Sequence, residues 1–482
     1  MKWIVNALGK LNWGERAPVA LLLFVTTVMA SSAQTLTTLA VFNGTNGAEP
    51  EAPLVQGFNG KLYGVTTVGG TYNQGAVFNI TTAGKLTTLY NFCSQVNCAD
   101  GSFPVWLIQA TNGDFYGATT EGGSGNPDGP CGSSCGTLFK ITPAGKLTTI
   151  YSFCAEANCP DGSRPTGLIQ ATNGDFYGIA SSGANNAGIV FKFASGALTT
   201  LYNFCSQTNC ADGAGPVGSL VQGTDGNFYG TTVGGGTDDQ GTVFRITPGG
   251  SLTTLCSVDG YPYAGLVQAT NGNFYGTTQS GEIFKCTPGG TLTYMANVGG
   301  YPYAGLIQAT DGNFYGTTFA GGTNSICQYG CGTIYKMTPP PHVAVTTLYN
   351  FCSQTNCTDG YAPYAGLVQD TNGSLYGVTV AGGATLSNSY GTVFSLGVGL
   401  GPFVETRPTS GKVGATIQIL GTNLAGATSV TFNGTPASPF TVNPTNSAIT
   451  TTVPTGATTG KVQVILPGGV TLSSNVPFRV RP

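Results

Sequence analysis

Apolar residues in this chain alternate with polar ones over short runs, and turn residues separate the runs. Leu86-Thr-Thr-Leu-Tyr-Asn-Phe92 alternates and is β-prone, so it predicts a strand. Leu107-Ile-Gln-Ala-Thr111 predicts a second, and Asn112-Gly113 supplies the two positive-φ positions of a type I′ turn. The run from Asp114 to Thr119 must then fold back as a hairpin. After a glycine-rich loop, Gly136-Thr-Leu-Phe-Lys-Ile141 predicts a third strand. Thr142-Pro-Ala-Gly145 turns it into the next Leu-Thr-Thr-Ile strand at Leu147. Each unit therefore holds four antiparallel strands.

The unit recurs. Its clearest words, Gly265-Leu-Val-Gln-Ala-Thr-Asn-Gly-Asn-Phe-Tyr-Gly-Thr-Thr278, return around Leu54, Leu107, Leu168, Leu220, Leu306 and Leu367, spaced 40 to 61 residues apart. Self-similarity at that period marks a repeat architecture. Leu-Thr-Thr-Leu-like strands begin at Leu36, Leu86, Leu147, Leu198, Leu252, Leu292 and Val345, seven in all, matching seven copies of each other strand type. The last copy ends at Phe394 without its fourth strand, while the chain carries an unattached one at Leu36. The arithmetic closes only if that N-terminal strand completes the final unit. Closure of this kind predicts an all-β, seven-bladed β-propeller with four strands per blade over residues 34–400.

The words Gly-Leu-Ile-Gln-Ala-Thr-[Asn/Asp]-Gly-x-Phe-Tyr-Gly-Thr-Thr and Gly-Thr-[Val/Leu]-Phe-Lys-Ile-Thr-Pro resemble the Gloeo/Verruco ("GloVer") tandem repeat of exported bacterial proteins, from about Leu36 to Leu396. That resemblance implies a surface or extracellular location and no established activity or catalytic residues. Residues 401–482 change character, with no cysteine and no repeat words. Pro408-Thr-Ser-Gly-Lys-Val-Gly414, Ile417-Gln-Ile-Leu-Gly-Thr-Asn-Leu424, Val430-Thr-Phe-Asn-Gly434 and Gly460-Lys-Val-Gln-Val464 resemble an IPT/TIG domain. This implies a small immunoglobulin-like β-sandwich, which the short alternating strands support independently. A spacer or adhesion module is its plain reading.

Composition sharpens the picture. With 75 Gly, 27 Pro, 22 Tyr, 25 Phe and only 8% charged residues, the 482-residue chain fits short strands and tight turns rather than disorder. A net charge of −3 without a basic run excludes the electrostatic footprint of a nucleic-acid binder. A lone histidine, His342, removes most histidine-based metal and acid–base chemistry, and no cofactor or metal site is expected. Lys2, Lys10 and Arg16 precede the apolar run Ala17 to Ala30, and Ser31-Ser-Ala-Gln34 offers cleavage after Ala33. Residues 1–33 therefore read as a signal peptide, with no later membrane segment, and the protein as exported: extracellular, cell-surface or periplasmic.

Fourteen cysteines agree with that compartment. Cys93/Cys98, Cys154/Cys159, Cys205/Cys210 and Cys352/Cys357 are Cys-x4-Cys pairs, and Cys131/Cys135 and Cys327/Cys331 are Cys-x3-Cys pairs, all read as local loop disulfides. Cys256 and Cys286 have no near neighbour, fall on edges that adjacent blades share, and are expected to bridge them.

Alternate loops of an up-and-down blade share a face. The Asn-Gly and Thr-Pro-x-Gly turns thus form a uniform side, and the cysteine and glycine-rich loops a variable one, where binding is expected. Two connections there are cut down to Asp259-Gly-Tyr-Pro-Tyr263 and Gly299-Gly-Tyr-Pro-Tyr303, giving a notch lined by Tyr261, Tyr263, Tyr301 and Tyr303, with Tyr364 and Trp106 at comparable positions. Such amphipathic rings suit a sugar or polymer face, although packing between blades is the plainer use for them. A glutamine follows each inner-strand Leu-[Ile/Val] (Gln56, Gln109, Gln170, Gln222, Gln268, Gln308, Gln369) and is expected to bridge neighbouring strands. The acids of the variable side, Asp100, Glu121, Asp161, Asp212, Asp238, Asp239, Asp259 and Asp359, are the candidates for catalysis, though most sit beside glycine as turn residues do. The reading is a binding or adhesion module for an extracellular polysaccharide or a surface protein. A propeller enzyme acting on glycans or lactones, and a surface-layer spacer, are the rivals.

Overall fold

The structure is a computed structural model that describes residues 34–125, 134–154, 159–384 and 389–481. The expected signal peptide and Cys131 lie outside the described residues. Strand β1 spans Leu36–Val41, β2 Val55–Gln56, β3 Leu62–Thr66, β4 Ala76–Ile80 and β5 Leu86–Asn91. Strands β2 to β5 pair in chain order, all antiparallel, because a glycine-bearing turn reverses the chain between each pair. Five more four-stranded sheets repeat this order between Ser102 and Asn350. The sheet of Val368–Gln369, Leu375–Thr379 and Thr392–Leu396 takes its fourth strand from β1, with Leu36 opposite Leu396 and Val41 opposite Thr392.

Sequence expectation and structure differ in one recurring detail. The strand expected at Leu107 to Thr111 runs from Ser102 to Gln109, because the segment before it already pairs with its neighbour and Ala110 to Gly113 are consumed by the turn. The same early start occurs at Ser163 and Ala214, whereas the other inner strands are two residues long.

Core residues lie between adjacent sheets rather than inside one. Tyr63 and Val77 of the first repeat pack with Leu107, Phe115 and Phe139 of the second. A tyrosine of one repeat meets a phenylalanine of the next as Tyr63–Phe115, Tyr116–Phe176, Tyr177–Phe228, Tyr229–Phe274 and Tyr275–Phe314, with centroids 3.9 to 4.4 Å apart. Each such pair is worth about 0.5–1.5 kcal/mol beyond the area it buries. This is why Phe-Tyr-Gly recurs. Its glycine is needed for space: a Cβ on Gly117 would collide with the Phe139 ring and the Trp106 carbonyl. Gly117→Ala is therefore expected to destabilise by about 2 kcal/mol through overpacking. Denaturant titration checks it, and an unchanged midpoint would refute the packing account.

The C-terminal residues form two further four-stranded sheets. One holds Glu405–Arg407, Thr416–Leu420, Ala448–Thr452 and Phe440–Val442, and the other Thr435–Pro436, Ser429–Phe432, Val462–Ile465 and Thr471–Ser473. They enclose one core that includes Ile417, Ile419, Val430, Phe432, Ile449, Val464 and Phe478. Ser410–Lys412 and Arg479–Arg481 add a parallel pair. No helix among the described residues is long and apolar enough to cross a membrane.

Candidate functional site

The seven glutamines tie repeat to repeat. The side-chain oxygens of Gln109, Gln170, Gln222, Gln268, Gln308 and Gln369 accept from the backbone N–H of Phe58, Thr111, Thr172, Thr224, Thr270 and Thr310 at 2.8 to 3.0 Å. Gln56 closes the circuit by accepting from Thr371 N–H at 3.1 Å. Most of these amides also donate back to their own turn, as Gln109 Nε2 does to Gly113 O at 3.0 Å. With both ends engaged, the ring is structural, and the residue before each glutamine is left to face the axis.

On the opposite side of the sheets, the residue after the repeated proline marks the same position in each unit: Glu51, Val105, Thr166, Val217, Tyr263, Tyr303 and Tyr364. Three consecutive units supply tyrosine there. Tyr303 lies 5.6 Å from Tyr263, edge to face, and 5.3 Å from Tyr364, stacked at 23°. Phe319 supports both Tyr303 and Tyr364, at 5.5 and 6.1 Å. Gln279 Nε2 donates to the Tyr303 hydroxyl at 3.1 Å. Although they pack on one another, Tyr263 and Tyr364 each remain 37% exposed. Tyr261 and Tyr301 are exposed two residues earlier on two of the same loops.

Glu51 continues the crescent, because the unit of Tyr364 and the unit of Glu51 are joined by Gln56 and Thr371. Burial lifts the Glu51 carboxyl above its ordinary range; the Thr67 hydroxyl, donating at 3.2 Å, opposes this, and the charge of Glu49 adds to it. Burial likewise raises the Tyr364 phenol, helped first by Glu51 and then by Tyr303 and Tyr263. Glu51 was not singled out from the sequence, although its place after Pro50, aligned with Pro363-Tyr364, was there to be read.

Trp106 belongs elsewhere. Its indole N–H donates to Leu168 O at 2.9 Å, and its ring packs against the cluster of Phe153, Leu168 and Phe191. It is a strut between sheets and stands apart from the tyrosine crescent.

Four of the loop aspartates are equally committed. Asp100 is buried and accepts from Tyr90 Oη, Ser94 N–H and Gln95 N–H at 2.8, 2.9 and 3.2 Å, which knots the cysteine loop that precedes it. Asp212 and Asp359 make the same contacts with Tyr202 and Ser206, and with Tyr349 and Ser353. Asp161 accepts from Tyr151 Oη at 2.8 Å. Burial pulls the Asp212 carboxyl upward, but the Ser206 N–H with the Tyr202 and Ser206 hydroxyls outweighs it and holds the group below its ordinary value. Burial pushes Tyr90 up to about 12. These carboxylates do not converge on one point as paired acid and base would; each serves its own loop.

Cys93–Cys98, Cys154–Cys159, Cys205–Cys210, Cys327–Cys331 and Cys352–Cys357 are disulfides within loops. Cys256 and Cys286 are bonded across two adjacent sheets, with Cα atoms 6.5 Å apart. Cys135, Cys154 and Cys159 bring sulfurs within 4.8 Å of one another, but all three are disulfide sulfurs and not the thiolates a metal needs. Several disulfides are consistent with an extracellular or periplasmic protein.

The uniform turn side carries the C-terminal region, which the sequence did not foretell. Arg407 Nη1 donates to Gln56 O at 2.8 Å, and Asn443 Nδ2 and Ser447 Oγ both donate to Phe58 O at 2.7 Å. Arg481 Nη2 donates to Thr172 O at 2.8 Å, and Phe403 N–H to Thr371 O at 3.0 Å. Among the described residues, the C-terminal region thus covers the turn side of the ring and not the tyrosine side.

The Gloeobacter/Verrucomicrobia repeat matches residues 25–158, 129–300 and 279–464. No curated protein matches the sequence. Among solved structures, the chain is similar to a catalytically inactive virginiamycin B lyase from Staphylococcus aureus with quinupristin, at 14% identity over 75% of this chain and 99% of that one, with a TM-score of 0.51. It is also similar to the WD40 β-propeller domain of Doa1, at 12% identity, 76% and 97% coverage and a TM-score of 0.46. A gluconolactonase from Xanthomonas campestris matches at 13% identity, 61% and 88% coverage and a TM-score of 0.39. The likeness to the lyase is one of β-propeller fold.

Proposed function

We propose that this chain, which belongs to the Gloeobacter/Verrucomicrobia repeat family, is an exported, non-catalytic binding module that recognises an extracellular polysaccharide or a surface protein. In this reading residues 1–33 are a cleaved signal peptide, 34–400 a closed seven-bladed β-propeller and 401–482 an immunoglobulin-like IPT/TIG domain. Seven four-stranded sheets, the closing pair of β1 with Thr392–Leu396, and the circuit of glutamines support the blade count. Two sheets around one core support the sandwich.

The observation that carries the function is the crescent of Tyr263, Tyr303 and Tyr364, packed together through Tyr303 with Tyr263 and Tyr364 exposed. Rings held rigid before binding present apolar area and hydroxyls at little entropic cost, which suits the faces of sugar rings. Of the acids offered for the enzymatic alternative, Asp100, Asp212 and Asp359 are occupied within their loops. A surface-layer spacer would have no use for an exposed aromatic crescent.

Screening the protein from Gln34 onward against bacterial and plant polysaccharides tests this reading. We expect a saturable hit that the Tyr263→Ala/Tyr303→Ala double variant weakens by about a hundredfold, as loss of two buried contacts worth about 1–2 kcal/mol each would produce. The variant should keep its unfolding midpoint within a few degrees. A hit that the double variant retains in full would remove the crescent from the site.

A further inference from the structure

Only 17 lysines and arginines occur in this chain, yet four of them, Arg407, Lys412, Arg479 and Arg481, line a single cavity of about 770 Å³. The cavity lies where the C-terminal sheets cover the ring of inner strands. Against these four cations its wall holds two carboxylates, Glu405 and Asp225, so the chamber is positive in a chain of net charge −3. Both carboxylates are already engaged. Glu405 pairs with Arg407 at 3.0 Å, and Asp225 accepts from Asn227 Nδ2 and Tyr229 Oη at 2.7 and 2.8 Å. Arg481 is held by Thr172, whose carbonyl accepts from its Nη2 at 2.8 Å.

The rest of the wall has the opposite character. Each inner strand places an aliphatic residue just before its glutamine, and Val55, Ile108, Ile169, Val221 and Val368 border the cavity, half-buried. A cationic roof over an aliphatic channel selects for a guest with both features. The volume falls in the range of small-molecule sites, roughly 300–1,000 Å³.

We propose that this chamber binds an organic anion, its carboxylate or phosphate meeting Lys412, Arg479 and Arg481 and its apolar body entering the aliphatic mouth of the channel. Guanidinium groups bind such headgroups through charge-assisted hydrogen bonds. The guest lies on the side of the ring away from the tyrosine crescent, so the two sites are separate and either stands without the other.

Isothermal titration of the full chain with decanoate, decanol and inorganic phosphate tests the proposal. Decanoate is expected to bind one to one, and decanol and phosphate at least about tenfold more weakly, since each lacks one half of the recognition. A Lys412→Ala/Arg479→Ala variant removes side chains that are exposed, so the fold and the contacts of Arg407 and Arg481 persist. It should weaken decanoate by about tenfold or more and leave decanol unchanged. Absence of saturable decanoate binding, or equal binding of decanoate by the variant, would overturn the site. Phosphate binding as tightly as decanoate would overturn the role of the aliphatic wall.

Discussion

Deleting residues 34–42 is expected to abolish cooperative folding of the whole repeat region, although it removes one strand of the 38 described. Strand β1 is the only partner of Thr392–Leu396 on that flank, so its loss exposes a row of unpaired backbone groups. It also strips two core residues. Leu36 packs with Phe351 and Phe394, and Phe42, fully buried, meets Phe78 of the first repeat at 5.1 Å. Losing one buried phenylalanine costs about 3–5 kcal/mol, and a whole protein is stable by only about 5–15 kcal/mol. The ring closes at this seam, so opening it frees the first and last repeats from each other. We expect aggregated protein, or a broad, non-cooperative thermal transition, partly restored when the peptide spanning residues 34–42 is supplied in trans. A truncated protein that unfolds cooperatively near the full-length midpoint would show that the seam does not hold the ring.

That seam was legible in the sequence because it is arithmetic: four strand types in equal number, with one copy displaced to the start. Likewise Leu-[Ile/Val]-Gln and Asn-Gly fixed inner strands and hairpins, since alternation and turn chemistry act over a few residues. What escaped was decided by partners that only the folded chain brings together, most of them far away in sequence. Asp100 looks like any solvent-facing acid until Tyr90 and Ser94 are seen bonded to it. Trp106 reads as a rim aromatic, yet its indole is spent on Leu168, 62 residues on. Several of the C-terminal region's contacts with the ring span 309 to 389 residues and use backbone carbonyls that carry no sequence signature. For the same reason the cationic chamber is invisible as a run of basic residues and emerges only when the parts are assembled.

Replacing Asp370 by asparagine is expected to stabilise the protein at neutral pH and to leave it unchanged near pH 3.5. In the turns of the other repeats this position holds Ala110, Ala171, Gly223, Ala269, Ala309 or Gly57, so a carboxyl there is an exception. Asp370 is buried at the junction with the C-terminal region, where Thr371 bonds Phe403 and Thr422. Its Oδ1 accepts from Asn372 N–H at 2.9 Å, but its Oδ2 is buried without a partner. Burial raises the carboxyl from 3.8 to about 6; the Asn372 bond opposes this and the charge of Glu405 adds to it. Because the folded value lies above the unfolded one, the native state keeps a proton that the unfolded chain has lost between these pH values. Stability therefore falls as pH rises from about 4 to 6, and above that the deficit is full, on the order of 3 kcal/mol at about 1.4 kcal/mol per pH decade. An asparagine side chain cannot ionise, so Asp370→Asn should flatten that slope and recover most of the deficit at pH 7.5. Denaturant titrations at pH 3.5 and pH 7.5 decide it. Equal stability of the two proteins at pH 7.5 would mean that water or a cation reaches Asp370 and that its burial costs nothing.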